Sequence, residues 1–306
     1  MYAYVTLVML GDEYVKGALA LAKSILYTNT VHDLVCMVTR DVSDRAVKTL
    51  ERVYDRVVLV DFISYSCPPM LSNRQNQMYK PWIDHAFTKW QCLSLTDYDK
   101  ILYLDADHIV IKSIDHLFAL ETPALYMADD NYGKMPFGTK IDACKINQYL
   151  EYKHNKILCK AGTVLFEPSL KLLNTIKSLL VPTNRFLQKC HFHNGFDEPV
   201  LLQALAISNM TITHLTILYA WTAGSYHHLR KNSEAYVINY YGDVKPWHRS
   251  SNDFNNSIGI GNIDCDDYET SIVVKKEKYR TRMPIIKYMD VFIWKFFYKL
   301  PILEGY

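Results

Sequence analysis

Apolar runs of strand length recur through the first third of the chain, and helix-patterned segments separate them. The runs are "YAYVTLVML" (2–10), "DLVCMVT" (33–39), "RVVLVDF" (56–62) and "KILYLD" (100–105). Each is apolar at successive positions, so a strand made from it has no face fit for water and must be covered on both sides. Between the first two, Val15, Ala18, Leu19, Ala22 and Ile25 fall at helical spacing behind Asp12, which predicts an amphipathic helix opened by that aspartate. A second helix is predicted over 43–54 with Ser43 as its N-cap. Strand and helix in alternation predict an α/β chain with a mostly parallel sheet and helices on both faces. Less regular strands follow at 124–128, 162–168 and 235–241, and no internal repeat is present.

Composition narrows the class. The chain has 306 residues and a formal charge of +2, so there is no global electrostatic case for a nucleic-acid partner. The charge is uneven: residues 272–306 carry eight Lys/Arg against three acids, a local +5 that leaves −3 for the rest. Residues 251–306 are expected to be a Ser/Asn/Gly linker and a basic extension, after a main domain at 1–250. Within the extension Ile286, Met289, Ile293, Phe296, Phe297 and Leu300 form an apolar stripe. It predicts a helix docked on the body, or one that meets a membrane surface or a protein. Residues 129–160 are polar and interrupted, which predicts a mobile insertion. The seven cysteines form no C-x-x-C pair, which argues against a zinc site and for a reducing, cytoplasmic setting. Met1–Leu10 reads as a first strand rather than a leader.

Asp-x-Asp occurs three times, at Asp97–Asp99, Asp105–Asp107 and Asp264–Asp266. The first and last sit in polar turns and are expected to be solvated surface. Only the middle copy ends an apolar strand, and ligands of parallel α/β sheets bind beyond the carboxyl ends of strands. Ala106 between the two acids keeps space open. Two hard, charged oxygen ligands suit Mn²⁺ or Mg²⁺, which in turn suits a diphosphate. The bland reading is that one aspartate caps the turn that follows.

The stretch from Asp105 to Phe118 resembles glycosyltransferase family 8, the group that includes glycogenin and galactinol synthase. The resemblance extends in collinear order through "AYVTLVMLGDEYVKGALALAKSI" (3–25), "YKP" (79–81), "FTKWQCLSLTDYDKILYLDADHIV" (87–110), "AGTVLFEPS" (161–169), "GFDEPVLLQAL" (195–205) and "YYGDVKPW" (240–247). It implies a GT-A fold, a Rossmann-like arrangement, and a UDP-sugar donor whose hexose is transferred with retention at the anomeric carbon. By the same resemblance Leu7, Met9 and Tyr14 lie at the uridine, and Lys80, Lys89, Ala106, Lys160, Gly162, Gly242 and Lys245 are further donor-binding positions. Asp105, Asp107 and Asn239 fall at the metal positions, and Asp197 and Glu198 are the catalytic or substrate-orienting acids. Elementary chemistry agrees: a lysine such as Lys245 would stabilise charge on the leaving UDP, and Gly242 lets the backbone approach the phosphates.

Three positions depart from the family pattern. Asn239 stands where it usually has a histidine, Lys160 where it has Asn, and Glu198 where it has Gln. Asn239 and Lys160 motivate a rival reading, a catalytically weakened nucleotide-sugar-binding scaffold or sensor. Expected acceptors are a sugar, a polyol or a protein. Glycogenin-like self-glucosylation would require a tyrosine, such as Tyr219 or Tyr226, presented to a neighbouring copy in a homodimer.

Overall fold

The structure, a computed structural model, describes residues 1–70, 72–128, 135–151, 158–188, 195–223, 234–242, 245–248 and 288–301. The linker and most of the basic tail, Asp264–Asp266, Tyr226 and Ile286 lie outside these residues. In chain order the strands are β1 (Tyr2–Val8), β2 (Asp33–Val38), β3 (Arg56–Leu59), β4 (Lys100–Leu104), β5 (His108–Val110), β6 (Ala124–Met127), β7 (Lys140–Ile141), β8 (Cys159–Phe166), β9 (Ile212–His214), β10 (Trp221–Thr222) and β11 (Val237–Asn239). The helices are α1 (Val15–Leu26), α2 (Asp44–Leu50), α3 (Asn73–Tyr79), α4 (Ala143–Glu151), α5 (Leu170–Leu179), α6 (Arg185–Gln188), α7 (Asp197–Ile207) and α8 (Tyr288–Lys299).

The main sheet runs β3-β2-β1-β4-β8-β6-β9-β7, and β10-β11-β5 form a small second sheet. In the main sheet β3, β2, β1, β4, β6 and β9 point one way, while β8 and β7 oppose them. The chain leaves β1 for β2 and β3 on one side and returns to β4 on the other. The mouth of the sheet at β1 and β4 is thus a topological switch point, where α/β sheets hold their ligands.

Both faces of the sheet are covered, as the two-sided apolar runs predict. Ala3, Val5 and Leu7 face a cluster with Phe87, Trp90 and the apolar residues of α5 and α7. Tyr4 and Val8 face the opposite cluster, with α1 and α2. Along β8 this alternation changes phase: Cys159 and Ala161 share a face with Val164 and Phe166. The cause is an irregularity opposite Leu125 and Tyr126, which pair with Val164 and Lys160. The extra backbone bulges at Gly162, beside the end of β4.

Several local expectations are corrected. Ser43 does cap α2, accepting from Ala46 N at 3.2 Å, but the helix ends at Leu50 rather than at 54. The chain turns there because Asp55 must reach Leu34, whose amide it accepts at 2.7 Å. Asp12 does not open α1. Its carboxylate accepts from the amide and hydroxyl of Ser43, and Tyr14 takes the N-cap position. Within the expected insertion, β7 pairs with β9, and α4 buries Ile146 and Leu150. Two apolar residues one turn apart suffice to dock a helix that reads as polar.

Helix α8 packs on α1 and on the small sheet through Val291, Trp294 and Phe297, with Ala20, Ile109, Ile238 and Tyr240. This buried face differs from the predicted stripe, since Phe296 is exposed and Trp294 is not. Among the described residues no helix is long and apolar enough to cross a membrane.

Candidate active site

Strand β4 delivers Asp105 to the mouth of the main sheet, where its amide donates to the Gly162 carbonyl at 2.9 Å. Two residues later Asp107 is tied to the small sheet, its carbonyl accepting from Tyr240 N at 2.9 Å. The motif thus spans the seam between the two sheets. The outer copy, Asp97 and Asp99, is exposed and pairs with Arg56 and the N-terminus, as a solvated turn should.

A network of opposite charges surrounds the inner copy. Lys245 Nζ lies 2.6 Å from Asp107 Oδ2 and donates also to the Tyr240 carbonyl at 2.9 Å. Lys89 Nζ lies 2.9 Å from Asp197 Oδ2 and 3.5 Å from Asp105 Oδ1, linking the strand-end acid to the helix-start acid. Tyr103 donates to Asp105 Oδ1 at 3.0 Å. Burial works against ionising Asp107, yet Lys245 and a hydrogen bond to His108 outweigh it and hold the carboxyl well below the usual range. Burial likewise opposes the charge on Lys89 and Lys245, and the neighbouring carboxylates, Asp105 and Asp107 first, reverse the sign and raise both.

Asp197 is the first residue of α7, with Phe196 at the N-cap and no side-chain cap. Its carboxylate is engaged by Lys89 rather than by the helix's free amides. Glu198 Oε1 accepts from Ala161 N at 3.0 Å, which fixes it against β8 one residue from Gly162. Lys160, on the same strand, donates to the Ala220 carbonyl at 3.1 Å and to Thr222 Oγ1 at 2.8 Å. Burial lowers its pKa to about 8, with Glu198 acting in the opposite sense.

The other expected positions fall in two groups. Leu7 is buried in β1 and Met9 lies just past it, half-buried. Tyr14 meets Trp247 edge-on at 5.4 Å and lies 5.6 Å under Lys245 Nζ, and Trp247 also donates to Glu13 at 3.2 Å. The turn bearing Lys245 is therefore pinned to the start of α1, a packed Trp and a site lysine in one segment. Gly242 has φ 117°, a conformation that favours glycine. Asn239 faces His108 across β11 and β5. Lys80 is different: it is exposed just past α3 and makes no ion pair with a described residue. Tyr219, an expected acceptor, is buried, stacked on Tyr236 and bonded to His116 at 2.7 Å, so it is not presented to a neighbour.

Two contributors escape the sequence reading. Gly17, inside α1, lies where an added Cβ would come 2.5 Å from the Ala106 carbonyl and 2.8 Å from Trp247; its only signal is a glycine within a helical stripe. His108 follows the second aspartate and reads there as the start of an apolar strand. With Asp105 and Asp107 it forms a cluster whose ligand atoms lie within 4.8 Å of one another. His108 Nε2 and Asn239 Oδ1 are buried without a hydrogen-bond partner, so the donor set fits a divalent ion with open positions to fill.

The mixed eight-stranded sheet with two covered faces and an acidic pair at its switch point is that of the GT-A fold. The sequence profile "Glycosyl transferase family 8" matches residues 5–251, and the chain belongs to that family. It is 32% identical over 258 residues to the uncharacterized protein R707 of Acanthamoeba polyphaga mimivirus, covering 82% of this chain and 84% of R707. It is 27% identical over 278 residues to mouse glycogenin-1, covering 88% and 71%. The crystal structure of the glycosyltransferase GlyE from Streptococcus pneumoniae TIGR4 superposes with a TM-score of 0.55 at 15% identity, over 98% of this chain and 60% of GlyE; that likeness concerns the fold.

Proposed function

We propose that this chain transfers a hexose, glucose or galactose, from a UDP-sugar to a sugar, polyol or protein acceptor, with retention at the anomeric carbon and with a divalent metal. The observation that carries the reading is the convergence of Asp105, Asp107, Asp197, Lys89 and Lys245 into one charge network at the switch point. Five charges at the mouth of the sheet cost solvation energy that a purely structural site has no reason to incur.

Mn²⁺ or Mg²⁺, held by Asp105 and Asp107 with the Asn239 oxygen, would supply positive charge for the diphosphate. The protein's own groups do the rest. Leu7, Met9 and Tyr14 offer an apolar and aromatic wall beside β1 for a base, and Ala106 leaves room between the acids. Lys245 would exchange its bond to Asp107 for the leaving phosphate, and the positive φ of Gly242 supports a close approach of the backbone. Lys89 holds Asp197 in place through a 2.9 Å ion pair. From there Asp197 stabilises positive charge that develops at the anomeric carbon, with Glu198 beside it. Lys80, exposed, would contribute to the donor from the rim.

The transferase unit in this reading is residues 1–250, with 251–306 as an extension. Exposed Phe292 and Phe296 beside Lys295 and Lys299 support a contact of that extension with a membrane surface or a protein. Cys36, Cys92 and Cys144 are free thiols, in keeping with the cytoplasmic setting of this reading. A screen of UDP-sugars with Mn²⁺ tests the reading. Turnover should vanish in Asp105→Asn and Asp107→Asn and persist in Asp97→Asn. Equal activity in EDTA-treated and Mn²⁺-loaded protein would refute the metal requirement.

A further inference from the structure

We propose that the donor sugar carries a carboxylate, making it a hexuronate, and that Lys160 Nζ is the cation that binds it. The inference rests on the reading of this site as a UDP-sugar transferase. It narrows the sugar to the acid form of a glucose or galactose ring, oxidised at C6. Three lysines meet at the mouth of the main sheet, and two of them already face acids. Lys245 lies 2.6 Å from Asp107, and Lys89 lies 2.9 Å from Asp197 and 3.5 Å from Asp105. Lys160 differs. Its hydrogen bonds go to two neutral oxygens, the Ala220 carbonyl at 3.1 Å and Thr222 Oγ1 at 2.8 Å. Among the described residues no carboxylate forms an ion pair with it, and Glu198 acts on it only through space.

That difference appears in the charge balance. Neighbouring acids outweigh burial at Lys89 and Lys245 and raise both. At Lys160 burial wins, and the pKa falls to about 8. An ammonium drawn from water without a counter-ion is costly, and in a cleft such a group marks a place for a ligand's charge. It offers three donors, of which two are used. Lys160 is half-buried rather than sealed in, so a ligand has access to it.

Its position suits the sugar. Strand β8 runs antiparallel to β4 with Thr163 opposite Leu104, which puts Lys160 past the end of β4. The next two residues are tied to the site's acids: the Ala161 amide donates to Glu198, and the Gly162 carbonyl accepts from Asp105 N. On the other side Thr222 is registered with Asn239, and Asn239 with His108, the residue after Asp107. Lys160 therefore borders the space between the helix-start acids and the small sheet. A donor with its diphosphate at Asp105 and Asp107 and its anomeric carbon near Asp197 has its ring in that space. A C6 carboxylate on the ring supplies the missing charge, whereas a hydroxymethyl group leaves the ammonium as it stands.

Calorimetric binding to the full chain with Mn²⁺ and no acceptor tests this, using UDP, UDP-glucose, UDP-galactose, UDP-glucuronate and UDP-galacturonate. Wild-type protein should bind at least one UDP-hexuronate about tenfold or more tightly than the matching neutral UDP-hexose, as a charge-assisted contact requires. Lys160→Gln should erase that preference and leave UDP affinity unchanged, and Lys160→Arg should retain part of it. Wild-type protein that binds UDP-hexoses as tightly as both UDP-hexuronates overturns the assignment alone, whether or not the variants fold. A preference that survives in Lys160→Gln does the same. UDP affinity that falls in Lys160→Gln as far as hexuronate affinity gives the lysine to the diphosphate and also overturns it. Wild-type protein that binds none of the five overturns the UDP-sugar reading itself, and the hexuronate with it.

Discussion

Asp197 is held by a lysine that also touches Asp105, so one substitution there alters both charge at the site and stability. Asp197→Asn should slow transfer on the order of 10²- to 10³-fold, the usual cost of losing a preorganised electrostatic group. It should also lower the melting temperature, because the buried Lys89 charge keeps only its longer contact, to Asp105. Rates measured well below the melting midpoint, with UDP binding intact, separate the two effects; a rate within a few-fold of wild type would make Asp197 structural. Lys160 makes a pH test. Its pKa falls from 10.5 to about 8 because it is buried. Below pH 8 both folded and unfolded chains hold the proton, and the cost of burying the charge is present in full. Between about pH 8 and 10.5 the unfolded chain binds more protons, so stability contributed at this residue rises with pH. Relative to Lys160→Met, the wild type should therefore gain melting temperature from pH 7.5 to 9.5, and parallel curves would refute the shift. At this scale Asp105 and Asp107 are legible because an apolar run ends on two acids. His108 is not, since a histidine opening an apolar triplet looks like any strand residue until Nε2 is seen to lack a partner.

The elements that carry the site meet where side chains are absent. Helix α1 crosses the Asp105–Asp107 turn at Gly17, and β8 crosses it at Gly162. Gly17→Ala should push against the Ala106 backbone, which has little freedom, and against Trp247, which pins the Lys245 turn. Alanine is otherwise favoured over glycine in a helix by roughly 1 kcal/mol, so the propensity effect alone predicts a gain. A fall in melting temperature together with weaker UDP binding would show that packing wins; an unchanged or raised value would mean the turn simply shifts aside. Periodicity found α1 and the first strands because their apolar pattern is dense. It missed α4, where Ile146 and Leu150 are the buried residues. It also missed the 3-10 stretch Ile83–Ser94 that carries Lys89, whose apolar spacing there serves a tighter turn than the α-helix.

Across the whole molecule the seam between the two sheets is braced from outside by α8. The order β4-β8-β6-β9-β7 was not readable from the chain, because long-range antiparallel pairing leaves no local pattern, and neither was the face of α8 that docks. That face ends at the site. Trp294 lies 5.7 Å from Trp247, which contacts Tyr14 and sits at Gly17, two residues after the buried Lys245. Tyr240, whose carbonyl accepts from Lys245, donates its hydroxyl to the Asp290 carbonyl in α8 at 2.7 Å. Trp294→Ala removes a side chain that is 3% exposed, and truncation of a buried Trp typically costs about 3–5 kcal/mol. If α8 were only a surface anchor, the loss would stay local, and UDP affinity measured well below the melting midpoint would match wild type. If it braces the Lys245 turn, Trp247 loses its backing and UDP affinity should fall several-fold, with Mn²⁺ affinity at Asp105 and Asp107 less affected because β4 and β5 remain in place. A fall in stability without any change in UDP binding would confine α8 to the fold and detach it from the site.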